Sequence, residues 1–390
     1  MVEAEAIVSE RELHQWKLLS EFREALAVAL KHEQLHSSFA ASERRLDHAD
    51  YLSLFLFGLF NPALRTMRAL CSASQLERVQ REICNGPVSL GSFSEAQHLI
   101  NPAHLEKVFG ELVGRKDRRM EVGQGDWQQW FARDSSLFAA LPRMSWALYG
   151  GGRAGKTNNA VRLHLNFQVL EDKPVLAQVT PGRACERQVW KEQWQGGCGY
   201  IGDRYFTKNF QLFGQLNAKG CRYVLRLIEE ATINVIEQLP ITAEDRQAGV
   251  VRQAWATLGK ERHRSVAVRV VWLESSHSAL ILVTNLAPEQ LCAALVGMLY
   301  RRRWQIECFF RWVKCLLGCR HWLAESQAGV TLQLYLALIA SVLLQLLVGH
   351  RPNKRLLEVI QLHQMGWATT QEVIAALQRQ QAAQRQRNKM

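Results

Sequence analysis

Residues 300–314, YRRRWQIECFFRWVK, place charged and aromatic side chains at helical spacing. At about 100° per residue, one side of the predicted helix carries a single carboxylate, that of Glu307, among cations and aromatic rings. The other members of this side are Tyr300, Arg303, Trp304, Arg311 and Lys314. The opposite side is apolar and is expected to face a core. An exposed stripe with one Arg303–Glu307 ion pair would show the same spacing, and it would stabilise a helix by only about 0.2–0.5 kcal/mol.

The segment YGGGRAGKT, residues 149–157, matches the Gly-x4-Gly-Lys-Thr pattern of a nucleotide-binding P-loop. Such a loop holds phosphates only when a helix begins directly after the lysine, because the helix N-terminus supplies backbone N–H groups. Residues 161–170, VRLHLNFQVL, instead alternate apolar and polar side chains, which predicts a strand. We therefore do not expect a P-loop ATPase. Arg153 and Lys156 would lie in a glycine-rich loop between two strands, suited to contact with a DNA phosphate backbone.

The 390-residue chain has a formal net charge of +12 and a pI near 9.4. This favours a polyanionic partner, nucleic acid before an anionic membrane. Nine cysteines without paired spacing, and a start that shows no signal peptide, suggest a reducing, cytosolic setting. Cys308, Cys315, Cys319 and His321 are expected to pack rather than to bind metal. The uncharged run 326–349 is long enough to span a membrane, but its glutamines favour a buried core helix.

Local patterns predict the elements that must position these residues. Residues 1–120 show helical spacing, and their last two short helices could form a DNA-reading helix-turn-helix or simply pack. Strands are expected at 134–141, 161–170 and 175–180, and helices and strands then alternate, which indicates an α/β layered domain. Asp134 falls on the first strand, and Asp203 ends a short buried strand.

The rest of the chain changes character twice. Residues 231–285 are β-rich and less regular, and the chain is helical again from 288 to about 349. The polar, basic tail 371–390 is expected to fray or to be disordered.

The spacing Tyr-x2-Arg-x3-Glu-x6-Lys, from Tyr300 to Lys314, resembles the C-terminal signature of the insertion-sequence-four (IS-four) family of DDE transposases. RDSSLFAALPRMSWALY with VRLHLNFQVL is similar to the family's first aspartate block, YIGDRYF to its second, and CRYVLRL to the following strand. The likeness covers about residues 125–350, in order. It implies an α/β, RNase H-like catalytic domain formed by residues 125–230 and 286–350, interrupted by a β-rich insertion at 231–285.

The resemblance further implies that Asp134, Asp203 and Glu307 are catalytic and bind two Mg²⁺ ions, with Mn²⁺ as a substitute. Two ions about 4 Å apart activate the nucleophile and stabilise the leaving oxygen when a DNA phosphodiester is displaced. Mg²⁺ prefers the hard oxygen ligands that carboxylates supply. Asp134 is preferred to Asp126, which precedes the strand, and to Asp172, which lies in a hairpin turn.

By the same resemblance, the protein would cleave DNA at terminal inverted repeats and transfer the strands into target DNA, in cut-and-paste transposition. A homodimer would hold the paired ends, in the prokaryotic cytoplasm, associated with the nucleoid and without a membrane. An inactive DNA-binding relative or regulator is the alternative. A helical N-terminal domain, 1–120, would bind the DNA ends, and the basic tail, 351–390, would serve in dimerisation or be disordered.

Tyr300, Arg303 and Lys314 would contact DNA beside the scissile bond. Arg204 could reach DNA or pair with a carboxylate, and Trp255 or Trp272 could hold a flipped base. The further expected DNA contacts are Arg311, Trp304, Arg153 and Lys156.

Overall fold

The computed structural model describes residues 17–31, 33, 46–115, 129–151, 157–260, 265–274, 280–316, 322–349 and 351–389. Within these ranges the protein combines one large mixed sheet with many helices, which confirms a mixed α/β fold. The helices are α1 Lys17–Leu30, α2 His48–Phe60, α3 Met67–Ala73, α4 Glu77–Glu82, α5 Leu90–Leu99, α6 Pro102–Gly114, α7 Glu186–Glu192, α8 Gln211–Ala218, α9 Ala243–Gln247, α10 Ala293–Arg302, α11 Trp304–Leu316, α12 Gln327–Val348, α13 Lys354–Gln364 and α14 Thr370–Lys389.

The strands of the sheet are β1 Trp130–Ala139, β2 Leu148–Gly151, β3 Thr157–Gln168, β4 Lys173–Pro181, β5 Gly199–Gly202, β6 Arg222–Arg226, β7 Ile233–Leu239, β8 Val250–Leu258, β9 Val268–Leu273 and β10 Leu280–Thr284. Their order across the sheet is β2-β3-β1-β5-β6-β10-β9-β8-β7, and β4 pairs with β3. β1 is antiparallel to β3 and parallel to β5, and β5 is parallel to β6.

The β-rich residues 231–285 contribute the strands β7 to β10, as the sequence predicts. β10 pairs antiparallel with β6, so these strands extend the same sheet. Their separation into an inserted domain stays a prediction.

The P-loop-like segment runs into a strand. Tyr149 to Gly151 belong to β2, and Thr157 is the first residue of β3. The strand predicted after the lysine is thus confirmed, and the helix that a P-loop requires does not begin there. Arg153 and Lys156 lie outside the described residues.

β3 shows the predicted alternation, since Val161 and Leu163 on one side are fully buried. Its polar side is also covered, because His164 is 0% exposed and Asn166 is buried. Sequence alternation predicts which residues share a face, but it does not show whether a helix covers the polar face.

The helix α12 is the one described helix long and apolar enough to cross a membrane, and it is largely buried inside the protein. Its polar groups find partners there: the Gln345 amide donates to the Glu171 carbonyl at 3.0 Å, and the Tyr335 hydroxyl donates to the Ala177 carbonyl at 2.9 Å. Helix and strands therefore share one core, as the glutamines in the run predict.

The two short helices before residue 120 each pack one face into the core, and their use as a helix-turn-helix stays a prediction. Asn101 caps α6 by accepting a hydrogen bond from the Ala103 backbone N–H at 3.0 Å, and the ring of the α6 residue Phe109 packs edge-on against Tyr335 of α12. The exposed side of α6 carries charges of both signs, from Glu106, Lys107 and Glu111.

The C-terminal tail differs from the expectation of fraying or disorder. Residues Thr370–Lys389 form the helix α14, and its Val373 and Leu377 are buried in the main core. Apolar residues at helical spacing anchor the first turns of this segment despite its polar composition. Its use in dimerisation stays a prediction.

Candidate active site

Asp134 and Asp203 are brought together by the pairing of β1 with β5. The register joins Trp130 to Gly199 and Ala132 to Ile201, and the same register continued two residues places Asp134 beside Asp203. Neighbouring strands lie about 4.8 Å apart, so the two acids start from adjacent backbone positions.

A glycine allows this close approach. A Cβ atom at Gly199 would lie 2.4 Å from a ring carbon of Trp130, which belongs to β1. Real Cβ atoms do not come so close to a ring, so a larger residue at position 199 would push β5 away from β1.

Both aspartates have one carboxylate oxygen fixed by the backbone. The Ser135 N–H donates to Asp134 at 2.8 Å, and the Tyr205 N–H donates to Asp203 at 2.9 Å. Each side chain is therefore oriented by its first oxygen, and the second oxygen of Asp134 faces Arg303.

Arg303 connects the first aspartate to the glutamate. Its guanidinium lies 3.4 Å from Asp134 Oδ2 and 2.6 Å from Glu307 Oε1. Since one planar guanidinium contacts both oxygens, those oxygens are no more than about 8 Å apart. The ring of Tyr300 lies under the same guanidinium, with its centroid 5.8 Å away.

The signature residues do not lie on one unbroken helix. The α-helical hydrogen bonding is interrupted at Arg303, between the end of α10 and the start of α11. Hydrogen bonds of the tighter type, from Arg303 N–H to the Tyr300 carbonyl and from Ile306 N–H to the Arg303 carbonyl, replace it. The backbone of Arg303 stays in the right-handed helical region, so Tyr300, Arg303 and Glu307 still share one side.

Burial and neighbouring acids give Asp134 an unusual titration. Burial first, and then the negative charges of Glu186 and Asp203, raise the pKa of the Asp134 carboxyl to about 7, against the opposing effect of Arg303. The electrostatic coupling between Asp134 and Asp203 agrees with their adjacent positions. A site of this kind favours a bound cation, because a cation would offset the repulsion between the acids.

Glu186, the first residue of α7, is an acid at this site that the sequence analysis did not identify. It lies 3.4 Å from Arg162, which in turn donates to the Ser135 hydroxyl at 2.9 Å. Because Ser135 and Arg162 point to the opposite side of the sheet from Asp134, Glu186 lies beneath the two aspartates. Burial raises the pKa of Glu186, as does the charge of Asp203. Its sequence position, at the start of a short helix, gives no signal of this role.

The other predicted DNA contacts are distributed around the site. Arg204 pairs with Glu229 at 3.2 Å, both largely exposed. Lys314 lies 5.1 Å from the centre of the Phe138 ring, close to the end of β1. On the exposed side of α11, the guanidinium of Arg311 stacks on Trp304 at 5.2 Å.

The residues present suit a hard divalent metal ion by their chemistry. The three acids supply carboxylate oxygens, which Mg²⁺ prefers, and the pKa of Asp134 is raised by burial first and then by the charges of Glu186 and Asp203. Among the described residues, no three His, Cys, Asp or Glu side chains already surround a single ion position. The Arg303 guanidinium lies between Asp134 and Glu307 and supplies the local positive charge.

Comparison with known proteins places this chain in a family. The transposase DDE domain family matches residues 124–343, a segment that includes all three acids. The protein named transposase for insertion sequence element IS4SA, from Synechocystis, is 32% identical over 312 residues, covering 78% of this chain and 82% of that protein. The protein named transposase y4zB, from Sinorhizobium fredii, is 26% identical over 250 residues, covering 63% of this chain and 67% of that protein.

A solved structure of the piggyBac transposase synaptic complex with hairpin DNA is also similar, with a TM-score of 0.46 and 9% sequence identity. It aligns with 95% of this chain, and the match covers 80% of that chain. The domain match over more than half of the chain, together with the Synechocystis relative, shows that this protein belongs to the DDE transposases, enzymes that use divalent metal ions to cleave DNA and transfer its strands.

Proposed function

We propose that Asp134, Asp203 and Glu307 are the DDE residues of this transposase, and that they hold two Mg²⁺ ions, which Mn²⁺ can replace. The observation that carries this proposal is the convergence of the three acids from distant parts of the chain. The β1–β5 register brings Asp203 beside Asp134, and Arg303 links Asp134 to Glu307. When bound, the ions would activate the attacking oxygen and stabilise the leaving oxygen of the phosphodiester.

The protein's own residues prepare the site for this chemistry. Arg303 holds Asp134 and Glu307 in a fixed relation through a planar fork, and Tyr300 supports the guanidinium from below. Backbone N–H groups fix the rotamers of Asp134 and Asp203. This preorganisation lowers the reorganisation needed when DNA arrives.

The substrate is DNA at the terminal inverted repeats of the element, cut and joined to a target in cut-and-paste transposition. The net charge of +12 supports binding of a polyanion, and Lys314, Arg204, Arg311 and Trp304 lie around the acids as phosphate and base contacts. Arg153 and Lys156 of the loop before β3 would extend this surface.

We further propose that the protein is an IS-four member with an RNase H-like catalytic domain. The sheet order β4-β3-β1-β5-β6, three antiparallel strands followed by two parallel ones, supports that architecture. A homodimer would hold two ends in the cytoplasm, near the nucleoid, with the N-terminal helices assisting end binding.

The test is cleavage by acid-to-amide variants. We expect Asp203→Asn and Glu307→Gln to bind a duplex carrying the element end as tightly as wild type, but to lose cleavage and strand transfer in Mg²⁺. Glu77→Gln, which changes an exposed carboxylate on α4, is the matched control and is expected to cleave normally. Normal cleavage and joining by either active-site variant would refute the assignment of the metal site.

A further inference from the structure

A basic groove lies along α11, beside the acids. It has a volume of about 1160 Å³ and runs between α10, α11 and the C-terminal helices α13 and α14. Its basic and aromatic lining consists of Arg301, Arg302, Trp304, Arg311, Trp312, Arg351 and Lys354.

The groove carries a strong excess of positive charge. Asp172 is the one carboxylate among the described lining residues, and it is already paired with Arg351 at 3.1 Å. Lys354 pairs with Glu358, outside the lining, at 3.4 Å, and its side chain is largely exposed. Arg301 and Arg302 lie at the C-terminal end of α10, where the negative end of the helix dipole stabilises cations even when no ligand is bound. The helix dipole does not account for Arg311 and Lys354 in this way.

The groove is continuous with the acids. Trp304 and Arg311 lie within about 60° of Glu307 around the axis of α11, so they border both the acid stripe and the groove. Trp304 is 54% exposed, and its ring stacks against the Arg311 guanidinium. A phosphate chain that passes Glu307 would therefore meet these residues next.

The charge of the groove indicates its occupant. An open groove with five cationic lining residues fits the evenly spaced phosphates of a nucleic acid backbone, which Arg and Lys side chains neutralise.

We propose that this groove binds the phosphate backbone of the duplex that is being cleaved, in the segment adjoining the scissile phosphate. The inference rests on the proposed function, because it takes the cleaved DNA to lie at Glu307. Arg302 and Lys354, on the two walls, contact phosphates of this segment, and Trp304 with Arg311 marks its entrance.

The first test compares the double variant Arg302→Ala/Lys354→Ala with Arg355→Ala. Arg355 follows Lys354 on α13, is exposed and does not line the groove, so Arg355→Ala controls for the loss of one positive charge on the same helix outside the groove. Binding to a duplex that extends past the cleavage site is measured by fluorescence anisotropy between 50 and 200 mM salt. Losing two phosphate contacts lowers the slope of log affinity against log salt by about 1.8.

As the salt concentration rises from 50 to 200 mM, the ratio of the DNA affinity of wild type to that of the double variant is therefore expected to fall about twelvefold. A double variant that behaves like Arg355→Ala overturns the groove assignment. The assignment is also overturned if the double variant changes the mass of the dimer but not the affinity for DNA, because the groove would then be a protein interface. These outcomes are independent of the Asp203→Asn test, which measures cleavage, so each proposal can fail alone.

A second measurement uses the cysteines in the groove. Cys315 is exposed and lines the groove, so it can carry a photoactivatable crosslinker. Cys308 also lines the groove and is partly exposed, so crosslinks to the cleaved duplex near the scissile phosphate are expected to disappear in the double variant Cys308→Ser/Cys315→Ser. Equal crosslinking by this double variant, or crosslinks from these cysteines to target DNA alone, would contradict the proposal.

Discussion

Asp134 is expected to make the metal-free protein less stable as the pH rises. Burial first, and then the charges of Glu186 and Asp203, raise the pKa of its carboxyl from 3.8 to about 7, against the opposing effect of Arg303. Between these two values the folded protein holds a proton that the unfolded chain has lost. The stabilisation of the folded state by this proton is fully present below the pKa that Asp134 has in the unfolded chain. It is lost as the pH rises through the folded-state pKa of about 7.

Asparagine at position 134 removes this titration and keeps the oxygen that accepts from Ser135. The full pKa difference corresponds to at most about 4 kcal/mol. The Asp134 side chain is 23% exposed, so water reduces the effect. From pH 5 to pH 8, we expect the unfolding free energy of Asp134→Asn to increase by about 1–3 kcal/mol relative to that of wild type.

The assay is urea denaturation in EDTA, followed by tryptophan fluorescence at pH 5, 6.5 and 8. Glu77→Gln, on the exposed side of α4, serves as the control and is expected to differ from wild type by a constant amount. A constant difference for Asp134→Asn, or one that moves in favour of wild type as the pH rises, would refute the reasoning. Adding Mg²⁺ at pH 8 should stabilise wild type more than the variant, because the variant lacks one ligand.

Three further outcomes follow from the same contacts. Gly199→Ala should destabilise the protein by about 1–3 kcal/mol in urea and abolish cleavage, because its Cβ would meet the Trp130 ring and separate β5 from β1; wild-type stability would contradict the close approach. Arg303→Lys keeps the charge but loses the fork, so cleavage should fall about 10–100-fold and require more Mg²⁺; an unchanged Mg²⁺ requirement would show that the link does not position the acids. Glu186→Gln removes a charge that raises the pKa of Asp134, so the acidic limb of the pH profile of the single-turnover cleavage rate should move to lower pH. An acidic limb that stays in place or moves to higher pH would exclude this coupling.

The sequence predicted the elements wherever a local pattern carried the signal. The apolar alternation of residues 161–170 predicted a strand and so excluded a P-loop, and β3 begins at Thr157. The charge-free run in α12 was interpretable as a core helix because its glutamines need polar partners. The tail was the exception, because its few apolar residues gave too weak a pattern in a polar composition.

The candidate site was partly readable from residue types. Two aspartates at strand positions and a glutamate among cations could be selected because the motif spacing fixes which side chains share a helix side. The spacing does not show the interruption at Arg303, since that depends on where α10 and α11 pack against the sheet.

Only the tertiary structure decided how these parts meet. Strand order and register determine that Asp203 lies beside Asp134. Position 199 requires glycine because the Trp130 ring lies directly across from it on β1. Glu186 joins the site because α7 begins beside Arg162 on the polar side of β3, and the basic groove exists because α13 and α14 fold back beside α11. Periodicity along a chain reports which side chains face together within one element, whereas contacts between elements depend on long-range packing that no local pattern encodes.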